Sequence, residues 1–173
     1  MTSVPRDAPE PGRTADSGAA DSDAVVVRLG EGRFAVALDE VAEVGRVPAV
    51  TRVPGLPAWV AGVVNWRGRV LPALDLRALL GAERAPLTGA ARLVVLAVDD
   101  VSVGLVVDRV DGMTVLGDDV APFPVALLPA LLPDTGSGLV RGQVPRPDGP
   151  VAVLDVEAVL RLREALPRPR RTA

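Results

Sequence analysis

Residues 25–41, VVVRLGEGRFAVALDEV, align without a gap on residues 94–110, VVLAVDDVSVGLVVDRV. In both copies an apolar run leads into a short polar turn, a second apolar run and then Asp-x-Val. The turn holds Gly30-Glu31-Gly32 in the first copy and Asp99-Asp100 in the second. Two β-rich runs joined by such a turn predict a β-hairpin. A second block recurs downstream in the same order, LDLRALL at residues 74–80 and LDVEAVL at residues 154–160. Asp75 and Asp155 stand where a strand pattern hands over to a helix pattern, which suits a side chain that accepts from the first free N–H groups. The chain therefore reads as a diverged repeat, with halves at about residues 24–82 and 92–166. A pseudo-twofold pair of similar β units follows from that order.

Working outward, a third hairpin is expected in residues 63–74, with its turn at Arg67-Gly68. A further strand at residues 151–154 is entered through Pro147-Asp148-Gly149-Pro150. Helix patterns are short, at residues 56–61, 76–80 and 156–166. In the last, Val156, Val159, Leu160, Leu162 and Leu166 partly share a stripe, as a helix packed on a barrel would. Short strands, frequent turns and few helices predict small barrels or a sandwich. Residues 1–23 are rich in Pro, Gly, Ser, Asp and Ala, and residues 167–173 are basic; both are expected to be disordered. The spacer of the second half, with Pro122-Phe123-Pro124 and Leu131-Leu132-Pro133-Asp134, is expected to form a long ordered loop.

Composition narrows the chemistry. Hydrophobic residues make up 49% of the 173, enough for a core, and the net charge is -3. Nucleic acids and anionic membranes need a basic surface, so neither is an expected partner. The N-terminus lacks an apolar segment, and the apolar run at 125–132 is broken by Pro129. It is too short to span a bilayer, so a soluble cytoplasmic protein with no membrane insertion is expected. The chain has no His, Cys, Tyr or Lys, and all 19 basic residues are Arg. Imidazole bases, thiolate nucleophiles and Schiff-base amines are thus excluded. The adjacent carboxylates Asp99-Asp100 and Asp118-Asp119 lack the spacing of a calcium loop. No enzyme activity, cofactor or metal is expected.

Residues 53–76, VPGLPAWVAGVVNWRGRVLPALDL, carry a Pro-containing lead, Gly-Val, Asn-x-Arg-Gly, an apolar strand with Pro, and Asp-Leu. Val41-Ala42-Glu43-Val44 precedes them, and Gly104 to Val110 (GLVVDRV) follows. Taken in this order, these motifs resemble those of the CheW-like coupling proteins of bacterial chemosensory systems. The resemblance covers about residues 24–166. It implies a mainly β fold: two SH3-like five-stranded β-barrels around a shared hydrophobic core, with short helices. It also implies a non-catalytic adaptor that joins the regulatory domain of a chemotaxis histidine kinase to the cytoplasmic tip of a chemoreceptor, near membrane-bound receptor arrays. A two-barrel binding module of an unrelated signalling complex is the alternative.

The resemblance also implies site residues. Glu43 and Arg67 match a charged pair near the receptor and kinase surfaces. Val41, Gly62, Met113 and Gly142 match a receptor-facing groove between barrels. Asn65 and Gly68 flank Arg67 and suit the left-handed backbone of a tight turn. Trp66 stands where the family usually has Leu, and reads equally as docking residue or core filler. Trp59 reads as core. The kinase surface is expected at a barrel end with exposed edge strands, and Leu131 and Leu132 are expected to cover the second barrel.

Overall fold

A computed structural model describes residues 22–83, 85–117, 120–121 and 137–166. The first hairpin pairs β1 (Ser22–Leu29) with β2 (Gly32–Ala37). After a 3-10 turn at Leu38–Glu40 come β3 (Val41–Arg46), the short β4 (Val50–Thr51), and the hairpin β5 (Val60–Trp66) and β6 (Arg69–Asp75). Helix α1 (Leu76–Leu79) leads to β7 (Arg92–Val98), β8 (Val101–Val107) and β9 (Arg109–Leu116). The hairpin β10 (Val140–Val144) and β11 (Val151–Leu154) and helix α2 (Val156–Glu164) follow. All three hairpins expected from sequence are present. Both helices start on the expected caps. Asp75 Oδ1 accepts from Arg77 N at 3.0 Å, and Asp155 Oδ1 from Ala158 N at 2.8 Å.

Some expectations need correction. Residues 56–61 form no helix; Val60 N donates to Pro57 O at 2.9 Å, and β5 has already begun at Val60. Pro57 supplies no N–H, and the turn delivers Trp59 to the shared core instead. Ser22 and Asp23, assigned to the disordered extension, are strand, paired with Leu116 and Val115. The long loop with Leu131 and Leu132, the pair Asp118-Asp119, and the remaining terminal segments lie outside the described residues.

The repeat and the sheets do not coincide. One sheet runs β10-β11-β2-β1-β9 and the other β3-β7-β8-β6-β5-β4. Each half of the chain thus lends its first hairpin to the sheet built by the other half. The two orders superpose strand for strand, with β4 as a sixth strand of the second sheet. Register repeats as well. The parallel pair Val153↔Ala35 has its image in Ala73↔Gly104. The bulge of β9 against Val26 and Val27 matches that of β3 against Val95 and Leu96. The bulge at Val60/Gly62 matches that at Val140/Gly142. Bulges bend the strands at these points and curl each sheet. In the five-stranded sheet, Arg146 from the β10–β11 turn reaches Thr114 Oγ1 on β9 at 3.2 Å, a side-chain contact between the two ends of the strand order.

This architecture explains the unbroken apolar runs. Strands buried on both faces need no polar alternation. Along β1, Val25, Val27 and Leu29 face the core shared between the sheets, and Ala24 faces the interior of its own barrel. Along β7, Val94 and Leu96 face the shared core, and Leu93 and Val95 the interior of the other. The helices add Leu76, Leu79, Val156, Val159 and Leu160 to the shared core.

One junction between the sheets is clamped by charge. Arg77 of α1 lays its guanidinium on Asp108, with Nε 2.9 Å from Oδ1, and Asp108 Oδ2 accepts from Gly30 N at 2.7 Å. A planar fork suits such two-point recognition. Burial pushes the Asp108 carboxyl up. The Arg77 hydrogen bond, the Gly30 N–H and the Arg77 charge outweigh it and hold the group below its ordinary value. In the other half Glu157 replaces Arg77 and Asp39 replaces Asp108, so no such clamp forms there. A carboxyl with depressed pKa stabilises the fold above its unfolded value, and that contribution is lost as pH falls through the folded value. Asp108→Ala is therefore expected to cost about 1–3 kcal/mol at neutral pH. The gap from the parent should close as acid is added, as read by urea melts from pH 7 down to pH 3.

Candidate functional site

The β5–β6 hairpin carries most of the predicted residues. Asn65↔Val70 and Trp66↔Arg69 are its last pairs, leaving Arg67-Gly68 as a two-residue turn. Both central residues have positive φ, 49° and 81°. Strand twist favours this mirror-image turn, which normally takes Asn or Gly first. Asn65 Oδ1 accepts from Gly68 N at 2.8 Å and closes it. Arg67 is thus an L residue in a left-handed conformation, at a cost of about 1–2 kcal/mol.

The turn carries Arg67 across to β3. Its Nε lies 2.7 Å from Glu43 Oε2, with the side chains 76% and 36% exposed. Glu43 Oε2 is enclosed yet receives no aligned hydrogen bond, so the pair is held by charge rather than by a directed bond. An exposed pair of this kind contributes only about 0–1 kcal/mol to stability. Glu43 stands at the β3 bulge, paired with Val95, and Ala42 is the extra residue there.

Trp66 turns its ring onto the barrel interior. Its indole packs with the barrel cluster of Val64, Leu71, Ala73, Leu93, Val95 and Val106. It lies over Gly45, where a β-carbon would come within 2.4 Å of Cη2. Its Nε1 is enclosed without a hydrogen-bond partner. Trp59 also packs on the shared core.

The other candidates are scattered. Val41 is half-buried against the shared core. Met113 stands on β9 of the other sheet and is 61% exposed. Gly62 and Gly142 offer no surface, because both are buried at the paired bulges. A β-carbon at Gly62 would meet Thr51 O at 2.3 Å, and one at Gly142 would meet Ala121 O at 2.8 Å. The structure brings Glu43, Asn65, Arg67 and Gly68 together and leaves Met113 elsewhere. Sequence reading missed Val44 and Val70, large apolar side chains that are 43% and 72% exposed. Val44 follows Glu43, and Val70 is the cross-strand partner of Asn65. Strand phase identifies Val44: burial alternates along β3, so the residue after half-buried Glu43 faces out.

Among the described residues no group of three or more acidic side chains is placed to hold a metal ion. No helix among them is long and apolar enough to cross a membrane.

Comparison with known proteins agrees with this architecture. Protein PilI of Pseudomonas aeruginosa is 44% identical over 108 residues, covering 59% of this chain and 60% of that protein. Chemotaxis protein CheW of Rhizobium meliloti is 39% identical over 101 residues, covering 58% of this chain and 65% of that protein. The chain spans less than two thirds of either relative. The crystal structure of the scaffolding protein TtCheW from Thermoanaerobacter tengcongensis superposes with a TM-score of 0.68 at 21% identity, over 78% of this chain and 89% of that one, and shares the fold. The CheW-like domain model matches residues 23–164, which takes in every described strand but for the first residue of β1, so the chain belongs to the CheW-like domain family.

Proposed function

We propose that this chain is a non-catalytic cytoplasmic adaptor that couples chemoreceptor tips to the regulatory domain of a chemosensory histidine kinase. One observation carries the reading: Arg67 holds a strained left-handed conformation at an exposed hairpin tip, for an ion pair that adds little stability. Strain kept at an exposed position points to a role outside folding. Glu43 and Arg67, flanked by exposed Val44 and Val70, form the docking patch. A charged pair flanked by exposed apolar side chains suits a helical tip whose side chains supply both kinds of contact. Val41 and Met113 are assigned to further contacts of the same adaptor. Gly62 and Gly142 act through the bulges that shape it.

The test is Arg67→Gly, which removes the guanidinium and relieves the turn. Stability is expected to stay the same or rise by up to about 1 kcal/mol, since glycine adopts this conformation freely. Binding of a receptor-tip fragment or of the kinase regulatory domain, measured by calorimetry, is expected to weaken at least tenfold. A stability loss with unchanged binding would make the pair structural. Binding of neither partner at micromolar concentration by the parent protein would favour an unrelated signalling complex.

A further inference from the structure

Strand pairing leaves a seam in the six-stranded sheet. β3 stands at one end of the strand order, and pairing does not join it to β5. β4 covers β5 only at Val63 and Val64, so at Asn65 and Trp66 β5 is itself the outer strand. Two side-chain contacts bridge β5 to β3 there. The Trp66 indole lies on Gly45, and Arg67 Nε stands 2.7 Å from Glu43 Oε2. Both contacts reach one face of β3. Glu43 pairs with Val95 and Gly45 with Leu93, and both partners belong to the cluster that Trp66 joins. Residues opposite each other in an antiparallel pair share a face, so the Glu43 side chain rises beside the indole.

The two bridges differ in strength. The arginine side of the ion pair is 76% exposed, so the pair is too weak to fix the seam. Glu43 Oε2 is enclosed all the same, so the arginine alone does not cover it. The indole packs on β3 without slack, since a β-carbon at Gly45 would come within 2.4 Å of Cη2. Close-packed contacts pass a displacement on rather than absorb it. The other barrel separates the two roles. Registers place Arg146 at the position of Trp66 and Thr114 at that of Gly45, and Arg146 reaches Thr114 Oγ1 at 3.2 Å. Pro147 and Gly112 stand where Arg67 and Glu43 would be, and neither can form an ion pair. A bridge from this turn position therefore recurs without the pair.

We propose that Trp66 is a positioning residue for the docking patch: its ring, seated on Gly45, sets how far the hairpin tip stands from β3, and so holds Arg67 and Glu43 at the spacing a partner meets. The inference rests on the reading of Glu43 and Arg67 as docking residues. Ring and glycine are matched in size, so a change at either one shifts the tip, although neither belongs to the patch.

Size complementation in the full chain is the test. Gly45→Ala, which lifts the ring, and Trp66→Leu, which leaves a gap beneath the tip, are each expected to weaken binding of the receptor-tip fragment about fivefold. Combined, they should return the affinity to within about twofold of the parent, because the new methyl takes space that the ring gives up. Calorimetry is run where circular dichroism shows every variant folded; should Gly45→Ala alone not fold, Trp66→Leu and the double variant still give the comparison. A partner-free measurement reads the spacing itself. With 15N on the arginine Nε atoms, the Arg67 signal is assigned by its loss in Arg67→Gly. Each single variant should move it toward its position in Glu43→Gln, and the double variant should move it back. An Arg67 signal unmoved in both single variants overturns the proposal. So do single variants that bind as the parent does, and so does a double variant no tighter than Trp66→Leu, which would make the indole itself a contact. Binding of neither fragment by the parent, with the Arg67 signal moving as expected, would overturn the docking reading and uphold the spacing.

Discussion

Trp66→Ala is expected to lower the unfolding free energy by about 2–4 kcal/mol, and the melting temperature by roughly 5–15 °C. Large-to-small changes lose the transfer energy of the removed atoms and leave a cavity as well. Here the cavity would open onto Gly45, which has no side chain to move into the space. The indole also closes one end of the cluster that holds Leu71 and Val95, so water would reach a face that is now dry. Trp66 is half-buried, which places the loss below that of a fully enclosed Trp. Trp66→Leu should recover part of the loss, because leucine fills some of the volume and leaves no indole N–H unpaired. Thermal unfolding of the three proteins checks the order parent, Leu, Ala. A melting temperature unchanged in the Ala variant would return Trp66 to the docking surface.

Gly62→Ala is expected to cost about 3 kcal/mol or more, enough to deplete the folded protein in a cell. Two causes add. The residue has φ of 150°, where a side chain is strained whatever the space around it. The new β-carbon would also sit 2.3 Å from Thr51 O, and a backbone carbonyl cannot rotate away as a side chain can. β4 would have to leave β5, breaking the pairs Val50↔Val64 and Thr51↔Val63. Gly142→Ala should cost somewhat less, about 1–3 kcal/mol, since its φ is not in the left-handed region, although the new β-carbon would still meet the Val120 Cγ1 methyl at 2.7 Å and the Ala121 carbonyl at 2.8 Å. Soluble yield and urea midpoints separate the two. Receptor-coupling defects at either glycine are then expected to track stability, in contrast to Arg67→Gly.

The pair at the candidate site was legible because motif order identified it. Glu43 and Arg67 lie 24 positions apart in the sequence, and a bulge and a hairpin tip bring them to 2.7 Å. The roles of Gly62 and Gly142 were not legible, because what surrounds them, Thr51 and Ala121, is set by strand crossing and not by neighbouring residues. Trp66 was ambiguous for the same reason: its role depends on Gly45, on a strand to which its own is not paired.

By itself the sequence determined the hairpins, their turns, the two helix caps and the repeat. These depend on contacts between residues close in the chain, so local chemistry settles them. Only the tertiary structure decided which hairpin joins which sheet. The β1–β2 and β7–β8 hairpins carry the same apolar pattern, and either offers the same edges to either half. Their exchange rests on the parallel pairs β2 with β11 and β6 with β8. No local turn can make a parallel pair, so the exchange is fixed only when the shared core closes around both halves at once.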